Sequence, residues 1–202
     1  MSSKEEPAKV KAPNSTLTGV LGVFGLLTAA ITLYIGYHQG NFIPVPASLD
    51  VATKLGYTAK WMLLPSASVL MAVFNMGRGR RRAKAWHLSG RDHLIELQRN
   101  ICVNTVEQFC VFSFGLLALG ASVQTPQQMR FIPLSACLFF IGRVLFMVGY
   151  SIQLEYRSFG MSINFALDFF TFGANGYLMY KYGLLVGLED KTDTLTDSFR
   201  KQ

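Results

Sequence analysis

Charge is scarce in this chain. Of its 202 residues, 15% are Asp, Glu, Lys or Arg, against roughly 25% in an average soluble domain, and half are apolar. That composition cannot furnish the charged exterior of a globular enzyme. Cysteine is also rare: Cys102, Cys110 and Cys137 lie in apolar runs without metal-ligand spacing, which excludes a disulfide scaffold and a zinc module. The apolar runs lack period-two alternation and are too long for barrel strands. Neither an internal repeat nor a broken helix of the kind found in small transporters is visible.

What is present is five long apolar stretches. A helix needs about 20 largely uncharged residues to cross ~30 Å of hydrocarbon. Leu17–Tyr37, Trp61–Gly77, Ile101–Val123, Phe131–Leu154 and Met161–Leu185 meet or approach that length. Lys60 and Trp61 can anchor the short second stretch at one interface. The first run is too long for a typical signal core and ends well before the small-residue site at Val45-Pro46-Ala47, so a retained helix is expected. The fold class is therefore all-α, an integral membrane helical bundle. Its segments are a tail over 1–16, a first membrane helix over 17–37, a loop over 38–58, a four-helix membrane domain over 59–185, and a polar tail over 186–202.

Arg78, Arg80, Arg81, Arg82, Lys84 and Arg91, with His87 and His93, fall between the second and third stretches, where Asp92 is the one acid before Glu96. Positive loops stay cytosolic, which puts the amino-terminal tail in the cytosol and the Pro44 loop and acidic carboxyl tail outside. Beside a membrane span the arginine run marks topology, with contact to anionic lipid as an accompanying effect, and no nucleic-acid partner is expected. The sequon Asn14-Ser15-Thr16 is then out of reach of glycosylation.

A charge inside a span costs about 2.5 to 3.5 kcal/mol on insertion scales, so each one needs a partner or a purpose. Asn100, Asn104 and Glu107 fall at i, i+4 and i+7 on the third helix, and Asn164 and Asp168 at i and i+4 on the fifth. Arg143, Tyr150 and Arg157 are spaced by sevens, and share a face if the fourth helix runs that far. Counted from the cytosolic ends, Glu107, Arg143 and Asp168 lie at one depth to within about one turn, ~5.4 Å. This predicts an intramembrane Arg143 paired with Glu107, with Asp168 as a further partner, under a cytosol-facing pocket rimmed by Arg99, Tyr150, Tyr156 and Arg157. The same groups can serve purely as interhelical glue, and Arg157 as an interface anchor.

The stretch Glu96-Leu-Gln-Arg99-Asn-Ile-Cys-Val-Asn104-Thr-Val-Glu107-Gln108-Phe resembles the second core helix of the membrane-associated proteins in eicosanoid and glutathione metabolism, the MAPEG superfamily. Gly142-Arg143-Val-Leu-Phe146-Met-Val-Gly149-Tyr150, followed by Arg157, resembles its third. The resemblance covers residues 59–185. It implies a four-helix bundle per protomer, a homotrimer, residence in the endomembrane system, and glutathione bound between protomers as cosubstrate for attack on a lipophilic small molecule. Arg99, Asn104, Glu107, Arg143 and Tyr150 would contact glutathione or brace its site, and Arg157 would be the catalytic arginine that activates the thiol. A guanidinium favours the thiolate, which is the nucleophile. Asn100, Cys102 and Phe146 stand where the family pattern has Arg, His or Gln, and Tyr. The added first helix and the wording Asn104-Thr-Val-Glu107-Gln108-Phe109 resemble the mattrin branch, which implies the alternative of a non-catalytic membrane adaptor or trafficking regulator.

Overall fold

A computed structural model describes residues 14–82 and 93–184, so Lys84, His87, Arg91 and Asp92 of the basic segment and both polar tails lie outside the described residues. The first helix, α1 (Ser15–Gln39), starts at Asn14, whose side-chain oxygen accepts from the N–H groups of Thr16 (3.2 Å) and Leu17 (3.4 Å). The sequon asparagine is thus a helix cap, occupying donors that the first turn leaves free. After a 3-10 turn at Gly40–Phe42, Asp50 caps α2 (Val51–Trp61), which runs into α3 (Leu63–Arg82).

This start at Val51 corrects the expected loop over 38–58. The polar face of α2 is read as loop from sequence, yet Lys54 is buried: its ammonium donates to the carbonyls of Ala121 (2.6 Å) and Val123 (3.2 Å) at the end of the next long helix. A cation there matches the negative end of the helix dipole. The break at Met62 follows from Pro65, whose ring crowds the carbonyl four residues back, at Trp61. Met62 N–H still bonds Thr58 and Lys60 carbonyls, so the span is kinked rather than discontinuous. At its far end α3 continues past Gly77, which places Arg78, Arg80, Arg81 and Arg82 on its last turns instead of in a loop.

Then come α4 (His93–Ser122), a single turn α5 (Pro126–Met129), α6 (Phe131–Ile152) and α7 (Arg157–Tyr182). Thr125 and Gln128 form a reciprocal capping box at α5, with Pro126 at the first helical position. Among the described residues four helical segments are long and apolar enough to cross a membrane: Ser15–Phe42, Val51–Arg81, Ile95–Ser122 and Pro126–Ile152. The helix α7 falls short of that composition because its inward face is polar. Asn164, Asp168, Thr171 and Asn175 are all buried, while Phe169, Phe172 and Tyr180 are exposed on its outer side. Inverted amphipathicity of this kind suits a lipid surround, since only the bundle interior can satisfy hydrogen bonds there.

Small residues let the helices close. A Cβ on Gly160 of α7 would collide with the Gly142 carbonyl and Phe146 nitrogen of α6, and one on Gly120 of α4 with the Thr58 hydroxyl of α2. The helix α1 lies along α7 through Gly22 and Gly25, where an added Cβ would meet Ser162 and the Phe159 carbonyl. Within the bundle the rings of Phe112 and Phe139 stack at 4.3 Å beside Leu116, Ile132 and Leu167, and a second apolar cluster joins Ala72, Ile101, Cys102, Phe146 and Met147.

Candidate functional site

Arg143 is the largest fully buried side chain among the described residues, with 0% exposure. Gly142 and Gly160 bring α6 against α7, and α4 supplies the third wall. Arg143 Nη1 donates to the side-chain oxygen of Asn104 (2.9 Å) and, at 3.4 Å, to its carbonyl. The Asn164 amide, oriented by its hydrogen-bond partners, donates to the Phe139 carbonyl (3.2 Å) and accepts from Arg143 Nε and from Nη2 (3.0 Å). The guanidinium carbon also sits 4.6 Å from the centre of the Phe146 ring and 5.8 Å from that of Phe139. A desolvated cation is therefore held by amides and π faces from three helices.

This arrangement corrects the predicted pairing with Glu107. The depth was right, because Arg143 meets the α4 turn holding Asn104 and the α7 turn holding Asn164. The face was wrong: three residues rotate a helix by about 300°, and Glu107 emerges exposed on the outer side of α4 with Arg99 and Asn100. Asp168 is buried on the α7 face toward Arg143 and interacts with it electrostatically, but makes no direct ion pair, and its Oδ1 has no hydrogen-bond partner.

Toward the Arg157 end of α6, Phe146 leads outward. Its ring meets Tyr150 edge-on at 5.6 Å, and the Arg157 guanidinium lies 4.9 Å from the centre of the Tyr150 ring. The helix α6 ends at Ile152, so Arg157 does not continue its face as the sevenfold spacing predicted. It opens α7 after the Gln153–Tyr156 turn and folds back onto Tyr150. Arg143, Phe146, Tyr150 and Arg157 thus form a ladder from core to mouth in which two contacting rings are bracketed by a cation at each end. Of the expected rim, Tyr150 and Arg157 come together, both half-buried, while Arg99 and Tyr156 are exposed. A family-model comparison matches residues 58–177 and is described as the MAPEG family.

The chain belongs to the MAPEG family. The matched segment takes in α3, α4, α6 and most of α7, leaving α1 as an addition to the MAPEG core. Comparison with curated proteins and with solved structures returned no significant match. Within the MAPEG core, two contacts of the candidate site go beyond what the sequence shows. Asn164 was legible as half of an i, i+4 polar pair but received no role. Phe146 stands where the family pattern has Tyr, yet its ring face holds Arg143.

Proposed function

We propose that this MAPEG protein is a glutathione-dependent transferase or peroxidase acting on lipophilic electrophiles, in which Arg157 is the activating residue. The carrying observation is the placement of Arg157. Its guanidinium rests on the Tyr150 ring at the end of the bundle, and no carboxylate pairs with it among the described residues. An arginine at the first position of a helix opposes the helix dipole, so an anion there is stabilised by both. Glutathione would supply a thiol and two carboxylates. Arg157 would hold the sulfur as thiolate, Tyr150 would fix the guanidinium, and Arg99 would be available for a carboxylate. Arg143 and Asn104 fit poorly as ligands, because their hydrogen bonds are spent on each other inside the protomer. They brace the site.

Glu107 supports the oligomeric part of the reading. A carboxylate exposed near the middle of a 30-residue membrane helix is costly against lipid. Val103, Val106, Cys110 and Phe114 share its exposed face, and a second copy of the chain covering that face would remove Glu107 from lipid. A homotrimer with glutathione at the junction meets that need, with the arginine-bearing end of α3 in the cytosol of an endomembrane. The Arg143–Asn104 brace favours one second reading, a non-catalytic membrane adaptor, because two expected ligands are already satisfied without any bound molecule.

Titration of the purified trimer with glutathione, following thiolate absorbance and thermal stability, separates the two. A bound tripeptide raises the melting temperature with concentration. Arg157→Ala should abolish the thiolate signal and lower turnover by about 100-fold or more, the scale of losing one electrostatic donor, while changing stability little. No stabilisation of the parent at millimolar glutathione would overturn the transferase reading and favour the adaptor.

A further inference from the structure

The last turns of α3 carry a surface feature that the proposed chemistry does not use. Val73, Phe74, Gly77, Arg80 and Arg81 recur at i, i+1, i+4, i+7 and i+8, on one face of the helix, and line a cavity of about 400 Å³. Its inner wall is apolar, with Val73 45% and Phe74 61% exposed. Its outer wall is two guanidiniums. Between them Gly77 leaves a notch, since a Cβ there would touch nothing within 4 Å. Among the described residues Arg80 Nε, shielded from solvent, has no acceptor, and Arg80 Nη2 reaches only the sulfur of Met76, at 3.7 Å. Among the described residues no carboxylate pairs with Arg80 or Arg81.

An unsatisfied donor beside a second guanidinium asks for an oxyanion, and the adjoining apolar wall asks for a hydrocarbon chain. The position along the span decides where such a molecule would come from. The kinked candidate span Val51–Arg81 closes on Arg78, Arg80 and Arg81, so these arginines mark its end at one interface, at the depth of lipid phosphates. We propose that this face of α3 binds one anionic glycerophospholipid of the surrounding leaflet. Its phosphate is forked between Arg80 and Arg81, its glycerol crosses the notch at Gly77, and an acyl chain lies on Val73 and Phe74. Arginine suits the phosphate because its planar donors bind two oxygens at once. The net negative headgroup is selected because each nearby arginine favours an anionic over a neutral lipid surface by about fivefold.

The test is native mass spectrometry of the full-length protein released from mixed micelles holding equal phosphatidylserine and phosphatidylcholine. The parent should retain phosphatidylserine over phosphatidylcholine by about tenfold or more per protomer. Arg80→Gln with Arg81→Gln should bring the ratio to near unity. Gly77→Leu, which fills the notch and keeps every charge, should lower lipid retention, and melting curves of each variant confirm that it is folded. Arg78→Gln removes an exposed arginine outside the cavity and should leave the preference intact. An equal loss in Arg78→Gln would replace the site with diffuse charge attraction and overturn the proposal. Displacement of the lipid by 10 mM inorganic phosphate or glutathione would overturn it in favour of a soluble anion. Absence of retained lipid, with Arg80→Gln and Arg81→Gln shifting the oligomer mass, would assign the face to a neighbouring copy.

Discussion

Replacing Arg143 with Leu tests the core of the site. The substitution removes hydrogen bonds to the Asn104 side chain and carbonyl and to the Asn164 amide, and a cation lying 4.6 Å from the Phe146 ring centre. Polar contacts between membrane helices average about 0.6 kcal/mol, so four of them amount to roughly 2 to 3 kcal/mol. Loss of the cation–π contact adds about 0.5 to 2 kcal/mol. Asp168 then remains buried without the positive charge that faces it, which carries the total toward about 3 to 5 kcal/mol, the scale of leaving one partner of a buried pair alone. The compensating change is Asp168→Asn, which should recover part of that loss in the double variant. Glu107→Gln should recover none, because Glu107 lies on the outer face of α4. Equilibrium unfolding of the parent, the three single variants and the two double variants in one detergent, read by circular dichroism, gives the two cycles. Parent-like stability of Arg143→Leu, or rescue by Glu107→Gln and not by Asp168→Asn, would refute the brace.

Three glycines make an internally controlled series by thermal melting. Gly160→Ala drives a methyl into α6 backbone and should cost about 1 to 3 kcal/mol, whereas Gly36→Ala meets only the movable end of Leu134 and should cost less. Gly56→Ala meets nothing and should stabilise by about 0.5 to 1 kcal/mol; an equal effect at all three sites would contradict the packing. A pH prediction concerns Asp50, which precedes the membrane span. The Ser48 hydroxyl, then Thr53, hold its carboxyl down to about 2 from an ordinary 3.8. A depressed carboxyl stabilises the fold above its ordinary value and loses that contribution as pH falls toward 2, so Ser48→Ala should move the Asp50 titration upward when followed by carbon-13 NMR. An unmoved titration would assign the depression elsewhere.

Much of this architecture is legible in sequence because lipid imposes simple demands. The α6 segment carries no charge but Arg143, and a lone charge at that depth announces an interior partner. Depth could be counted from helix ends, and Arg143 does meet α4 and α7 at the predicted level. Rotation about each axis could not be counted the same way. Asn104 and Glu107 differ by less than one turn, and which of them faces Arg143 depends on how α4 packs, with Gly115 against Thr171 of α7 and Gly120 against Thr58 of α2. Boundaries failed where tertiary contacts override composition. Lys54 reads as a loop lysine until the carbonyls of Ala121 and Val123 are placed above it, and Gly77 reads as a stop although α3 continues to Arg82. The family wording at Arg143 and Tyr150 located the site, but could not show that Phe146 supports the arginine with its ring face.

The contact between α1 and α7 has a consequence for biogenesis. The turn before α7 also holds the start of α1, since Asn14 N–H donates to the Glu155 carboxylate at 3.0 Å, and Gly25 sits against the Phe159 carbonyl. These partners are more than 130 residues apart in the chain, so a ribosome adding about 5 to 20 residues per second makes the first helix roughly 7 to 30 s before its docking surface exists. Until then Gly36 and Tyr37 of α1 have partners on α6 in Leu134 and Phe131, but Gly22 and Gly25 await α7, whose docking joins α1 to the last of the described helices. A chain interrupted anywhere before α7 is left with Gly22 and Gly25 of α1 facing lipid instead of Ser162 and the Phe159 carbonyl.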